Sequence, residues 1–101
     1  MEYSSDEIEV LQALLDVFQN VPEAPLVGML IRFNKPLLIA ACIKLQEKDV
    51  AVARRYSGDP ANSLSCGVNQ RGGEEMVRLF EAGILKNNRP KPDTADTTPK
   101  G

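Results

Sequence analysis

Residues 57–73 read SGDPANSLSCGVNQRGG, and the interpretation of this stretch decides which fold the sequence predicts. It contains four glycines, one proline and two asparagines, all of them residues that are typical of turns. Because helical patterns precede and follow it, we interpret the stretch as a long connection between two helices. Connections of this length are often functional or mobile, so the loop is also a candidate contact surface.

The first helix has the clearest signal in the chain. Ser4 and Glu7 have the spacing of a capping box, and the apolar residues behind them recur at helical intervals. These patterns predict an amphipathic helix at about 5–20. Its first turns carry acidic residues, which suit the positive end of the helix dipole.

The region between this helix and the loop is the most apolar part of the chain. Residues 25–33 are apolar almost throughout, which predicts a short buried helix, although a strand at 26–31 remains open. Residues 36–56 keep an apolar face and predict one long helix, with a kink near Asp49. The alternation at 50–53 would also suit a strand, but its alanines and charged flanks favour the helix.

The segment after the loop predicts a last helix at about 73–86, with Glu74 and Glu75 in its first turn. Residues 87–101 are polar and proline-rich, so they cannot bury enough apolar surface to offset their ordering entropy, and we expect disorder. The sequence therefore predicts a single helical domain at 1–86 followed by a loose tail. The predicted fold is all-α, a bundle of three to four helices at about 5–20, 25–33, 36–56 and 73–86.

Charge is balanced overall and uneven along the chain. The formal net charge of −2 over 101 residues does not indicate a strongly basic nucleic-acid binder. Residues 1–23 carry six acids and no base, so the first helix could lie on a basic surface of its own chain or of a partner, or could simply be solvated. The candidate contact residues on this helix are Glu7, Glu9 and Asp16.

The residues needed for common catalytic and metal sites are missing or isolated. The chain has no histidine, which removes the usual general base and the commonest transition-metal ligand. Two cysteines are too few for a disulfide framework and favour a reducing, cytoplasmic setting. Cys66 has no base predicted beside it, and Cys42 lies in an apolar run typical of a core. We expect no enzyme activity, no cofactor and no metal.

The loop can also be interpreted as a nucleotide-binding segment or as part of a DNA-binding segment, and the sequence favours both less than a plain connection. The glycine spacing at 67–72 resembles that of a phosphate-binding loop, but Gly73 and Glu74 stand where lysine and a hydroxyl residue are needed. A helix-turn-helix segment at 63–80 would make the protein a DNA-binding regulator. The arginines expected to contact phosphates in that case are Arg54, Arg55, Arg71 and Arg78.

The function that the sequence favours is a non-enzymatic protein-protein interaction module, such as a small regulator, inhibitor or adaptor. A short chain with an almost all-apolar segment at 25–45 has a thin core, so we expect dimerisation to cover part of it. The helix at 5–20 or the face of the last helix would cross to the partner; that face carries Met76, Val77, Phe80 and Ile84. No membrane segment is expected, because Arg32 and Lys35 interrupt the apolar region.

Overall fold

The computed structural model describes residues 2–21 and 25–87, which contain three helices and three strands. The strands form one antiparallel sheet in the order β1-β3-β2. The fold is therefore mixed α/β, and the prediction of an all-α bundle is wrong. The predicted tail lies outside the described residues from 88 onward, and the predicted domain limits remain a prediction. In chain order the elements are α1 Ser5–Asn20, β1 Ile31–Phe33, α2 Pro36–Glu47, β2 Ala51–Arg54, β3 Leu64–Val68 and α3 Gln70–Glu81.

The stretch that was interpreted as a loop contains β3, the central strand of the sheet. Residues 64–68 pair with β1 on one side and β2 on the other, and all five are buried. A strand that is covered on both faces has no polar alternation to reveal it. Gly67 is needed there because a Cβ atom would overlap the carbonyl oxygen of Met29 on the neighbouring segment.

Three other predicted helices are also wrong in whole or in part, and the last of them, predicted at 73–86, runs instead from Gln70 to Glu81. Residues 25–33 are not helical, and their last three form β1, so the open alternative of a strand was nearer the observed structure. The predicted helix 36–56 ends at Glu47, and Asp49 has a left-handed backbone with φ of 62°. This left-handed residue reverses the direction of the chain after α2. The chain then continues as β2, in which Ala51 pairs with β3. The helix predicted at 5–20 is confirmed.

One hydrophobic cluster joins the helices to the inner face of the sheet. Residues on α1 and α2, such as Leu14 and Leu45, are completely buried together with Cys66 and Val68 of β3. On the free edge of the sheet, the backbone N–H of Ala53 in β2 donates to the side-chain oxygen of Gln46, at 2.7 Å. The sheet is thus covered on its inner face, and one group of its outer edge is hydrogen-bonded to α2.

The capping box predicted at the start of α1 is present. The Ser4 hydroxyl accepts a hydrogen bond from the Glu7 N–H at 3.2 Å, and the Glu7 carboxylate accepts one from the Ser4 N–H at 2.6 Å. We expect Ser4→Ala to lower the free energy of unfolding by about 1 kcal/mol, because the Glu7 N–H loses its acceptor. Urea titration followed by circular dichroism measures this, with the exposed neighbour Ser5→Ala as control. Equal free energies of unfolding for Ser4→Ala and Ser5→Ala would contradict this prediction.

Candidate protein-interaction groove

An apolar groove of about 280 Å³ lies between the second half of α1 and α3. Six of the eight residues that line it are apolar, and two of these project into solvent: Val77 is 53% exposed and Phe80 is 42% exposed. Large side chains that stay this exposed beside one another mark a surface suited to a partner. The lining residues are Leu15, Phe18, Gln19, Leu26, Met76, Val77, Phe80 and Glu81.

Helical spacing brings the groove residues to one side of each helix. Leu15 and Phe18 are three apart on α1, and Met76 and Phe80 are four apart on α3, so each pair lies on one face. Asn69 caps α3 by accepting a hydrogen bond from the Gly72 N–H at 2.8 Å. This cap fixes where the helix starts, and therefore which side chains it turns toward α1.

Glycine at two successive positions lets α3 approach the rest of the fold. Gly72 packs against the backbone of Val50, where a Cβ atom would overlap the carbonyl oxygen. Gly73 lies beside the Val27 side chain, which a Cβ would meet at 3.3 Å. The double glycine, which the sequence places where the long connection meets the last helix, is therefore a close-packing site in the first turn of α3.

The rim of the groove on α3 is acidic. Glu74, Val77 and Glu81 follow helical spacing along one stripe, and Glu74 and Glu81 are exposed. The bases of α3 lie on another stripe, where they are paired with acids. Arg71 Nη1 is 3.8 Å from Asp49 Oδ2, and Arg78 Nη2 is 2.9 Å from Glu75 Oε1.

The three predicted acidic contact residues on α1 differ in their exposure to solvent. Glu7 is only 2% exposed, and its carboxylate lies 2.8 Å from the Lys48 ammonium. Burial alone would raise the pKa of Glu7, but hydrogen bonds from Lys48 and Ser4 lower it below its usual value. Glu9 is exposed, and Asp16 is half-buried and accepts a hydrogen bond from Gln12 at 2.9 Å. Glu7 therefore stabilises the fold and is not available to a partner.

The four predicted arginines are divided between two elements. Arg54 and Arg55 lie at the end of β2, where Arg55 donates to the Ala61 carbonyl at 2.7 Å. Arg71 and Arg78 belong to α3. Because residues 64–68 are a strand, the first helix of the expected helix-turn-helix does not exist, and that structural prediction is wrong. The DNA-binding function drawn from it loses its geometric basis.

A polar network near the start of α1 holds the three helices together. The Tyr3 hydroxyl donates to Glu75 at 2.8 Å, and the Lys48 ammonium lies 4.9 Å from the centre of the Tyr3 ring. Burial and the contact with Glu75 raise the pKa of Tyr3 to about 12. Hydrogen bonds from Arg78 and Tyr3 lower the pKa of Glu75 to about 2. Both groups are therefore held in single protonation states near neutral pH, which suits a structural role.

Comparisons of the chain with models of protein families, with curated proteins and with solved structures give no match. Residues 2–21 and 25–87 contain no group of three His, Cys, Asp or Glu side chains placed to hold a metal ion. Over the same residues, no helix is both long and apolar enough to cross a membrane.

Sequence reasoning identified half of the groove. The shared face of Met76, Val77 and Phe80 is visible as helical spacing, and these residues were expected to contact a partner. Phe18 belongs to the apolar stripe of the helix predicted at 5–20, which was also expected to contact a partner. Leu26 was not singled out, and nothing in the sequence shows that α3 packs beside the end of α1. The only local signal for Leu26 is that it is a large apolar residue in the apolar run 25–33.

Proposed function

We propose that this protein is a non-enzymatic protein-protein interaction module that binds an amphipathic helix of a partner in the groove between α1 and α3. The observation that carries the proposal is the pair of large apolar side chains, Val77 and Phe80, left exposed beside an open apolar groove. Covering one such side chain contributes about 1.5–3 kcal/mol to binding before ordering costs. A helix with apolar residues at i, i+3/i+4 and i+7 fits this kind of groove.

The charge around the groove favours a basic helix from a different protein. Glu81 lines the groove, Glu74 lies two turns earlier on α3, and Asp16 is next to the groove residue Leu15 in α1. Lysines or arginines on the flanks of the bound helix would face these carboxylates. A second copy of the chain would instead bring the same acidic rim against itself, so partner binding is favoured over dimerisation through this groove.

The proposed setting is the cytoplasm, where the protein would act as a regulator or adaptor. Cys42 and Cys66 are both free thiols, as is usual in a reducing compartment. The groove itself needs no cofactor for binding, because apolar contact and rim charge supply the whole interaction.

The test uses a fluorescent peptide of about 18 residues with leucines at i, i+3, i+4 and i+7 and lysines on both flanks. We expect saturable binding in fluorescence anisotropy, with a dissociation constant below about 100 µM. Val77→Ser combined with Phe80→Ser should weaken binding at least about tenfold, because both side chains are lost from the contact. Glu74→Gln combined with Glu81→Gln should weaken binding several-fold and reduce its dependence on salt.

Matched controls separate the groove from general stickiness. Leu37 is 69% exposed on α2 and does not line the groove, so Leu37→Ser should leave binding unchanged. A scrambled peptide of identical composition should bind at least about tenfold more weakly. The proposal that the groove binds the peptide would be refuted if both peptides bound equally well. It would also be refuted if the Val77/Phe80 double variant bound the peptide as tightly as the wild type. Light scattering on the free protein tests the expected dimer separately.

A further inference from the structure

Three polar residues form one row across the sheet. In the antiparallel pairing of the strands, Ser65 of β3 is opposite Arg32 of β1 on one side and opposite Arg54 of β2 on the other. Residues that are directly opposite each other in a sheet point to the same face. Cys66, the next residue of β3, belongs to the core cluster on the inner face, so the row lies on the outer face.

The hydroxyl of Ser65 lies at the centre of this row. Ser65 is 7% exposed, and its side chain makes no hydrogen bond to any other residue within 2–21 and 25–87. Buried polar groups usually have a partner, so a hydroxyl in this position is suited to a ligand. Neighbouring strands are about 4.8 Å apart, which places the backbones of the two arginines about 10 Å apart with Ser65 midway between them.

Arg32 is held in position by an ion pair. Its Nη2 atom donates to Asp59 Oδ1 at 2.8 Å, and the other carboxylate oxygen, Oδ2, accepts a hydrogen bond from the Tyr56 N–H at 3.0 Å. Asp59 lies in the connection between β2 and β3, so the Arg32 side chain extends to the side of β1 on which Ser65 lies. Arg32 is still 55% exposed, and its remaining N–H groups have no acceptor in the part of the chain that the structure describes.

Arg54 supplies a positive charge that is not compensated by an ion pair. It is exposed at the end of β2, and its side chain has no ion pair or hydrogen bond with the described residues. The charges of the row and of the adjoining connection 55–63 sum to +2 (3 − 1), from Arg32, Arg54, Arg55 and Asp59. Guanidinium groups bind phosphate oxygens through paired hydrogen bonds, and a hydroxyl adds a further donor.

We propose that Arg32, Ser65 and Arg54 form a binding site for a phosphate monoester group on the outer face of the sheet. Such a group has three acceptor oxygens and a charge close to −2, which match three donor side chains and the local positive charge. A carboxylate has two oxygens and one negative charge, so it should bind more weakly. The site uses none of the residues that line the groove between α1 and α3, so each proposal can fail without the other.

The experiment titrates phenyl phosphate, a small phosphate monoester, into the isotope-labelled full-length protein at constant ionic strength. We expect saturable changes in the amide NMR signals of the three row residues, with a dissociation constant of about 1 mM. Acetate should bind at least about tenfold more weakly. A neutral peptide with one phosphoserine distinguishes the source of the group. A dissociation constant at least about tenfold lower than that of phenyl phosphate would assign the site to a phosphorylated protein, and an equal or higher one to a small molecule.

Variants with a matched loss of charge separate the row from general attraction by arginines. Arg54→Gln should raise the dissociation constant of phenyl phosphate at least about tenfold, and Ser65→Ala about threefold or more. Arg71→Gln removes the same charge from α3, where this arginine is 55% exposed, as Arg32 is, and should leave binding unchanged. Because Arg54→Gln removes no ion pair or hydrogen bond of the described chain, this variant is expected to keep the fold.

Three results would overturn the proposed phosphate site. The first is equal weakening of binding by Arg54→Gln and Arg71→Gln, which would show that only net charge matters. The second is acetate binding as tight as that of phenyl phosphate. The third is the absence of a saturable change in the amide signals up to about 20 mM phenyl phosphate.

Discussion

Gly72→Ala is expected to lower the free energy of unfolding by about 3 kcal/mol or more, although alanine is a better helix former than glycine by about 1 kcal/mol. Gly72 is buried in the first turn of α3, and a Cβ atom there would overlap the Val50 carbonyl oxygen and come within 2.8 Å of the Val68 Cβ. The Val50 carbonyl cannot move freely, because it accepts a hydrogen bond from the Asn69 N–H at 3.3 Å.

Urea titration of Gly72→Ala and Gly73→Ala measures this effect against a matched control. Gly73 lies in the same turn of α3, but its added Cβ would meet only side-chain atoms, Val27 Cγ2 at 3.3 Å and Leu26 Cδ2 at 3.9 Å. Side chains can shift, so Gly73→Ala should change stability by less than about 1 kcal/mol. If both variants gained stability, helix propensity would outweigh close packing at Gly72, and the proposed backbone contact would be wrong.

Lys48→Met is expected to lower the free energy of unfolding by about 3 kcal/mol at neutral pH. The Lys48 ammonium lies 2.8 Å from one oxygen of the buried Glu7 carboxylate, and the other oxygen, Oε2, is buried without a hydrogen-bond partner among the described residues. Removing the cation leaves a buried negative charge with only its capping hydrogen bond. Lys48 is 32% exposed, which places the expected loss at the low end of values for buried pairs.

The same variant has a characteristic pH dependence. The pKa of Glu7 in the folded protein lies below its usual value of about 4.5. The ionised Glu7 carboxylate therefore stabilises the fold above about pH 4.5, and this stabilisation is lost as the pH falls through the folded pKa. Lys48→Met removes the main hydrogen bond that lowers this pKa, while burial continues to raise it. The difference in stability between wild type and variant should therefore shrink as the pH falls from about 5 to about 3.

Unfolding free energies at several pH values test both statements. The double variant Glu7→Leu with Lys48→Met replaces the ion pair with apolar side chains and should recover part of the loss, because no buried charge remains. A Lys48→Met protein as stable as the wild type at pH 7 would contradict the prediction. So would a stability difference that stays constant down to pH 3.

Local signals predicted α1 correctly, and non-local pairing hid β3. The capping box and apolar stripe of α1 are complete within 16 consecutive residues, so no distant contact is needed to recognise the helix. Cys66, in contrast, is opposite Ile31 and Ala53, which are 35 and 13 positions away (66 − 31 and 66 − 53). A short strand rich in small residues has no local preference strong enough to indicate such partners.

The role of Glu7 was also beyond sequence reasoning. Its position in the capping box was recognised, but an acid in the first turn of a helix is normally exposed. Lys48 is 41 positions away, and only the packing of α2 against α1 brings its ammonium to the Glu7 carboxylate. Spacing along one helix can suggest which residues share a face, but it cannot show that another element covers that face.

The hydrogen bond between Gln46 and Ala53 also bears on how the protein avoids aggregation. An outer strand with free N–H groups offers a template on which a strand from another molecule can add, and such addition leads to fibrils. In this chain the side-chain oxygen of Gln46 accepts the hydrogen bond of the Ala53 N–H, and the exposed Arg54 places a positive charge at the end of the same strand. An incoming strand would have to displace the amide and approach the charge, so this edge resists polymerisation even while the apolar groove on α3 stays open.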